Sequence, residues 1–153
     1  MSSYYPILFS TPMVRAILDG RKTVTRRVFP TRADVGDTLW VRETWAANVP
    51  GCSAQGGYIY RADHIHPEGD GPERVRWHPS IHMPRDAARI YLLIVEKRLE
   101  LLAAITNAQA REEGFENVAA FSCAWHEMYG NHPQFSWRYN PEVTVLRFKR
   151  VEG

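Results

Sequence analysis

Cysteine is nearly absent: Cys52 and Cys123 are the two in 153 residues, and they stand in unrelated contexts without metal-type spacing. They read as free thiols in a reducing compartment, which excludes a disulfide-stapled scaffold. No apolar run approaches the length needed to span a bilayer, and the N-terminus lacks the basic, apolar, small-residue order of a secretory leader. A cytoplasmic protein with no membrane partner is therefore expected. The phosphate-cradling patterns GxxxxGK[ST] and GxGxxG are missing, which argues against a nucleotide-cofactor enzyme, and no cofactor is expected. The GxSxG elbow of serine hydrolases is missing too. So is HExxH. Six histidines keep a metal in question, but Pro79 directly after His78 breaks the helical reading of the His78–His82 pair, and His64–His66 has no third partner. Loop histidines capping backbone groups, with no metal, are expected. The formal charge is only +2, so any basic surface must come from placement rather than bulk composition.

What is present is a chain long enough to bury a core without metal or disulfide help, expected as one domain over 1–153. Arginine is concentrated early, at Arg15, Arg21, Arg26, Arg27, Arg32 and Arg42. The densest stretch is Gly20-Arg21-Lys22-Thr23-Val24-Thr25-Arg26-Arg27, where four cations and two hydroxyls fall within eight residues. Donors packed so closely suit a polyanion, and the planar guanidinium suits phosphate and stacked bases.

Local pattern fixes the surroundings of that stretch. Ile7-Leu8-Phe9 reads as a short opening strand. Ser10 or Thr11 then caps a helix with Pro12 in its first turn and an apolar stripe of Met13, Val14, Ile17 and Leu18, which Gly20 ends. After the turn at Val35-Gly36-Asp37, alternation puts Leu39, Val41 and Glu43 on one side of a strand and Trp40, Arg42 and Thr44 on the other. A glutamate sharing parity with apolar residues is expected at a strand end where the core opens. Residues 46–84 hold repeated prolines and glycines around a short strand, Tyr58-Ile59-Tyr60-Arg61, and read as a long insertion over the domain. Ala88 to Leu99 is the longest predicted strand, with both faces covered. Thr106-Asn107-Ala108-Gln109 is a capping box opening a helix that Gly114 ends. A second helix follows over about 117–129, with Phe121, Trp125 and Met128 on one face. Val143 to Arg150 alternates as a closing strand. The order predicts an α+β fold, a small mixed β-barrel with short helices in its connections.

The chemistry left to consider is Lys22 with Thr25 and a carboxylate. A lysine beside a threonine hydroxyl lowers the cost of an alkoxide, and a carboxylate near both holds the lysine or moves a proton. Glu43, Glu112 and Glu113 are the candidates.

The G-x-K-x-x-T-x-R run, here Gly20, Lys22, Thr25 and Arg27, resembles that of the ASCH domain family. The block Gly36-Asp37-x-Leu39-Trp40-Val41-Arg42-Glu43-Thr44-Trp45 and the segment Pro79-Ser80-Ile81-His82-Met83-Pro84-Arg85 are similar to its phage- and prophage-encoded branch. The helix ending Ala110-Arg111-Glu112-Glu113-Gly114 completes a resemblance that runs from about Ile7 to Phe148. It implies a PUA-like β-barrel, with RNA or a modified nucleoside as the partner. Some members are amidohydrolases acting on N4-acetylcytidine, which implies Lys22, Thr25 and Glu113 as catalytic residues here. A ribonuclease activity with a tyrosine, a lysine and a serine is a second implication, for which Tyr58, Tyr60 and Ser80 lie in the matching region. In the binding reading, Arg21, Arg26, Arg27 and Arg42 meet phosphates, Trp40, Trp45 and Tyr60 offer stacking faces, and Glu43 lies at the site. A non-catalytic, phage-derived structural or regulatory protein is the third expectation.

Overall fold

The computed structural model describes residues 2–28, 31–47, 57–64 and 75–153. The chain opens with β1 (Tyr4–Leu8), α1 (Thr11–Leu18) and β2 (Val24–Arg27), followed by β3 (Thr38–Arg42). Short strands β4 (Trp45–Ala47) and β5 (Tyr58–Tyr60) come next, then the long β6 (Tyr91–Leu101). Helices α2 (Asn107–Glu112) and α3 (Val118–Tyr129) precede the last strand, β7 (Glu142–Val151). Five strands form one mixed sheet in the order β1-β3-β6-β7-β2, and β4 pairs with β5 in a separate ladder. β1 runs parallel to β3; every other pairing is antiparallel.

The expected barrel is not there. The sheet stays open, because neither edge strand, β1 or β2, pairs with the other. The reason lies in what joins them. α1 fills the connection, and past its end the amides of Arg21 and Lys22 both bond back to the Ala16 carbonyl. The Thr23 amide donates to the Glu112 carbonyl at the end of α2. The amides leading into β2 are thus taken by helix ends, and the two edges meet through a side chain instead: Arg27 Nη2 donates to the Leu8 carbonyl at 2.8 Å.

β7 separates two apolar clusters. Leu146 and Phe148 face one that includes Ile7, Phe9, Val14, Ile17, Leu39, Val41, Leu92 and Ile94. Val143 and Val145 face the other, with Val24, Leu102, Ala110, Phe121 and Trp125 beneath α2 and α3. Each of the large side chains sealed in them contributes about 1.5–3 kcal/mol through burial. β6 does not keep its predicted face throughout. A bulge between Ile94 and Glu96 shifts the register against β7. Residue Ile94 still opposes Phe148, but Glu96 opposes Arg147, so the even-numbered residues beyond it face α2. The other face is open there, with Val95, Leu99 and Leu101 exposed.

The helix signals hold except at the start of α1, where Ser10 takes the cap position but its side chain makes no capping hydrogen bond. Pro12 sits in the first turn of α1, and Gly20 takes φ +79° just after it. Thr106 and Gln109 form both halves of the capping box on α2. Of the 46–84 segment, 48–56 and 65–74 lie outside the described residues, and with them Cys52, Pro50, His66 and Pro67. No helix among the described residues is long and apolar enough to cross a membrane.

Candidate functional site

A cleft of about 710 Å³ opens where the sheet fails to close, between the ends of β1 and α1, strand β2, and α3. It wraps the free edge of β2. Thr25 and Arg27 approach from the face of β2 that packs on Phe9, while Arg26 reaches it from the face shared with Val24. One wall is apolar and aromatic: Phe115, Phe121, Trp125, Met128 and Tyr129, with Phe9 and Met13 opposite. The floor is polar.

Lys22 and Glu113 meet in that floor, and both are buried. Lys22 Nζ donates to the Glu113 carbonyl at 3.0 Å and to its Oε1 at 3.2 Å. Arg26 Nη1 takes the second carboxylate oxygen at 3.2 Å, and its Nη2 reaches Glu100 at 3.3 Å. Thr25 is also buried, and its Oγ1 accepts from Arg27 Nε at 3.2 Å. Both cationic heads lie near the Phe9 ring, Lys22 Nζ at 5.7 Å and Arg27 Cζ at 4.8 Å from its centroid. Gly20 and Gly114 make this convergence feasible. Gly20 turns the chain sharply out of α1, and Gly114, at φ +98°, leaves room for Ala16 and Lys22 where a Cβ would lie 3.1 and 3.6 Å from theirs.

Burial dominates the electrostatics. It pushes the Lys22 amine below the ordinary lysine range, and neighbouring Arg27 and Arg26 add to that; Glu113 opposes it. The same desolvation lowers Arg27, again against Glu113. Tyr129, on the cleft wall, is raised by burial.

Of the residues read from sequence, Lys22, Thr25, Glu113, Arg26 and Arg27 converge on the cleft. The three candidate glutamates stand apart in space. Glu112 points away and pairs with Arg147 at 2.6 Å, whereas Glu113 lines the floor. Glu43 is buried at the far end of β3, where Arg89 holds both its oxygens at 3.1 and 3.0 Å and also reaches Asp63. Burial raises the Glu43 carboxyl even so. Tyr60 is buried beside them and donates its hydroxyl to the Ala87 carbonyl at 2.6 Å. Trp45 packs on Tyr58 and His78, and Arg42 donates to the Met83 and Ile81 carbonyls while lying over Trp40. This group ties the segment around Met83 to the sheet and does not line the cleft. Arg21 is exposed, paired with Asp19 at 3.3 Å. Ser80 does reach the cleft wall; Tyr58 does not. The aromatic wall from α3 is not legible in the sequence, where the spacing of Phe121, Trp125 and Met128 is that of a core face. Met128 at 68% exposure shows that the stripe runs out of the core. No group of three metal-ligating side chains is found among the described residues.

An α+β fold with an open mixed sheet, short helices and a cleft at its unclosed seam is the class these features define. No protein-family model matches the chain, and no curated protein matches it. Among solved structures, the crystal structure of an ASCH domain from Lactobacillus crispatus is similar, with a TM-score of 0.52 at 14% identity. The match covers 99% of this chain and 81% of that one. At that identity the likeness is one of fold alone: the chain is distantly similar in structure to an ASCH domain.

Proposed function

We propose that this chain is a cytoplasmic member of the ASCH family, of its phage- and prophage-borne branch, forming one unit over 1–153 with 46–84 as an insertion. Its cleft binds a modified nucleoside, or an unpaired nucleotide of an RNA, and hydrolyses an amide on the base. The observation that carries this is the buried Lys22–Glu113 contact at 3.2 Å in the floor of an open cleft that Thr25 also lines. The volume suits a ligand of nucleoside size, and the wall of Phe115, Trp125 and Tyr129 offers faces on which a base can stack.

Each residue has a role its environment supports. Burial lowers the Lys22 amine and so eases loss of its proton to the free-base form, which accepts the Thr25 proton as the hydroxyl oxygen attacks the acyl carbon. Arg27 Nε, 3.2 Å from that oxygen, stabilises the developing alkoxide. As the tetrahedral adduct collapses, the carbon–nitrogen bond breaks. The proton passes from Lys22 through Glu113 to the leaving exocyclic amine. Water then hydrolyses the threonine ester, releasing the carboxylic acid and restoring the hydroxyl.

The test is incubation of the purified protein with N4-acetylcytidine and, separately, with mixed-sequence RNA, each alongside Lys22→Ala. Release of acetate by the unsubstituted protein alone is the expected result. Ser80 on the cleft wall favours a second reading, phosphodiester cleavage with Lys22 stabilising the charged transition state. RNA cleavage that Lys22→Ala abolishes, with the acetyl group left intact, would establish that reading instead. RNA retained uncut while the nucleoside stays acetylated would reduce the cleft to a binding surface.

A further inference from the structure

Three cations line the cleft floor, and two of them have counter-charges. Lys22 and Arg26 each hold one oxygen of Glu113, and Arg26 also reaches Glu100. Arg27 has no carboxylate at ion-pair distance among the described residues. Its hydrogen bonds go to neutral acceptors, Thr25 Oγ1 and the Leu8 carbonyl. Glu113 acts on it only through space, its two oxygens being already held. Glu127 stands on the exposed rim of the cleft and is not paired with it. Arg27 is half-buried, and a charge partly withdrawn from water without a counter-ion carries part of the desolvation cost that folded chains usually offset with one.

The guanidinium is also held rigid. Nε and Nη2 are engaged, and Cζ lies 4.8 Å from the Phe9 centroid, which leaves Nη1 without a partner among the described residues. A fixed fork with a free donor, placed at an open cleft, matches an oxyanion better than any neutral group.

We infer that Arg27 is the seat of an anionic group on the ligand, so that the cleft takes a phosphorylated nucleoside in preference to a neutral one. This rests on the nucleoside reading above and adds the charge of the substrate to it. A monophosphate on a free nucleotide and one at the end of an RNA strand present the same chemistry.

Calorimetric titration separates these cases. The probes are cytidine, cytidine monophosphate with the phosphate at either end of the ribose, and a short RNA with and without a terminal phosphate. The expected result is that the phosphate tightens binding by about tenfold or more, as a charge-assisted contact should. Added salt shrinks that gain, and Arg27→Gln removes it while Arg27→Lys keeps part of it. A gain confined to the RNA pair assigns the phosphate to a strand end; a gain confined to the mononucleotides assigns it to a free nucleotide. Either supports the inference. Should Arg27→Gln fail to fold, the salt response of the unsubstituted protein decides. Equal affinity for cytidine and its monophosphates would overturn the inference and leave the nucleoside reading standing. If none of the probes binds, the nucleoside reading falls and takes the inference with it.

Discussion

Glu113 closes α2 with 3% of its surface exposed, and both its carboxylate oxygens meet buried cations. Glu112, its neighbour, pairs with Arg147 at a position where both side chains are about one-third exposed. The same substitution should therefore behave very differently at the two. Glu113→Gln leaves Lys22 without its counter-charge and Arg26 with Glu100 alone, and should cost about 3–5 kcal/mol of unfolding free energy. Glu112→Gln should cost about 0.2–1 kcal/mol. Denaturant titration of both checks this, and similar losses at the two sites would contradict the charge assignment. Lys22 gives a second prediction. Because burial lowers its folded-state pKa, the unfolded chain binds this proton more tightly. The unfolded state then holds more protons between the two pKa values, so stability rises with pH across that window and falls as pH drops through the folded value. Lys22→Met should lack this slope, seen as a growing advantage of the unsubstituted protein as pH rises toward the ordinary lysine range. Much of this was legible: Gly20 and Gly114 flank the residues that converge. Parity with Leu39 and Val41 puts Glu43 on the core side as expected, but the cleft expected beside it lies elsewhere, away from the buried Glu43. Its partner was not legible, because Arg89 lies 46 residues away and no local pattern connects the two.

Elements were legible where their ends carry chemistry. Pro12 and Gly20 bound α1, and Thr106 with Gln109 opens α2, because each satisfies or removes a backbone group that a helix end leaves unpaired. The bulge in β6 was not legible, since Val95 continues the alternation that it interrupts, and only pairing with β7 exposes the extra residue. That bulge has a consequence for the site. It turns Glu96, Arg98 and Glu100 toward α2, where Arg26, Arg147 and the two helix-end glutamates join them in alternating charge. The end of α2 supplies the prediction at this scale. Gly114 at φ +98° and Gly36 at φ +96° pay the same conformational penalty when replaced by alanine. Only Gly114 adds crowding, with Ala16 Cβ at 3.1 Å, while Gly36 faces open space. Gly114→Ala should therefore lower the thermal midpoint more than Gly36→Ala does, by the equivalent of about 1–3 kcal/mol, as overpacking commonly costs. It should also disturb binding, since Lys22 Cβ is the next atom it meets at 3.6 Å.

For the molecule as a whole, alternation and turn residues specify strands but not whether the first and last edges meet. The barrel expectation assumed that they do. Here they remain apart, with α1 laid into the connection and α3 walling the other side, and the cleft is the space left by the missing closure. Its location is thus a property of topology rather than of any single element, which is why the aromatic wall on α3 read as core. The prediction at this scale is that filling the gap abolishes ligand binding without touching the charged floor. Ala124 lines the cleft from α3 and is half-buried, so a larger side chain there can project into the open space. Ala124→Trp should leave stability within about 0.5 kcal/mol, as for a surface change that buries no polar group. Circular dichroism should be unchanged, while nucleoside binding and deacetylation are lost together. Binding that survives this substitution would place the ligand elsewhere, with the Trp40–Arg42 end of β3 as the next surface to test.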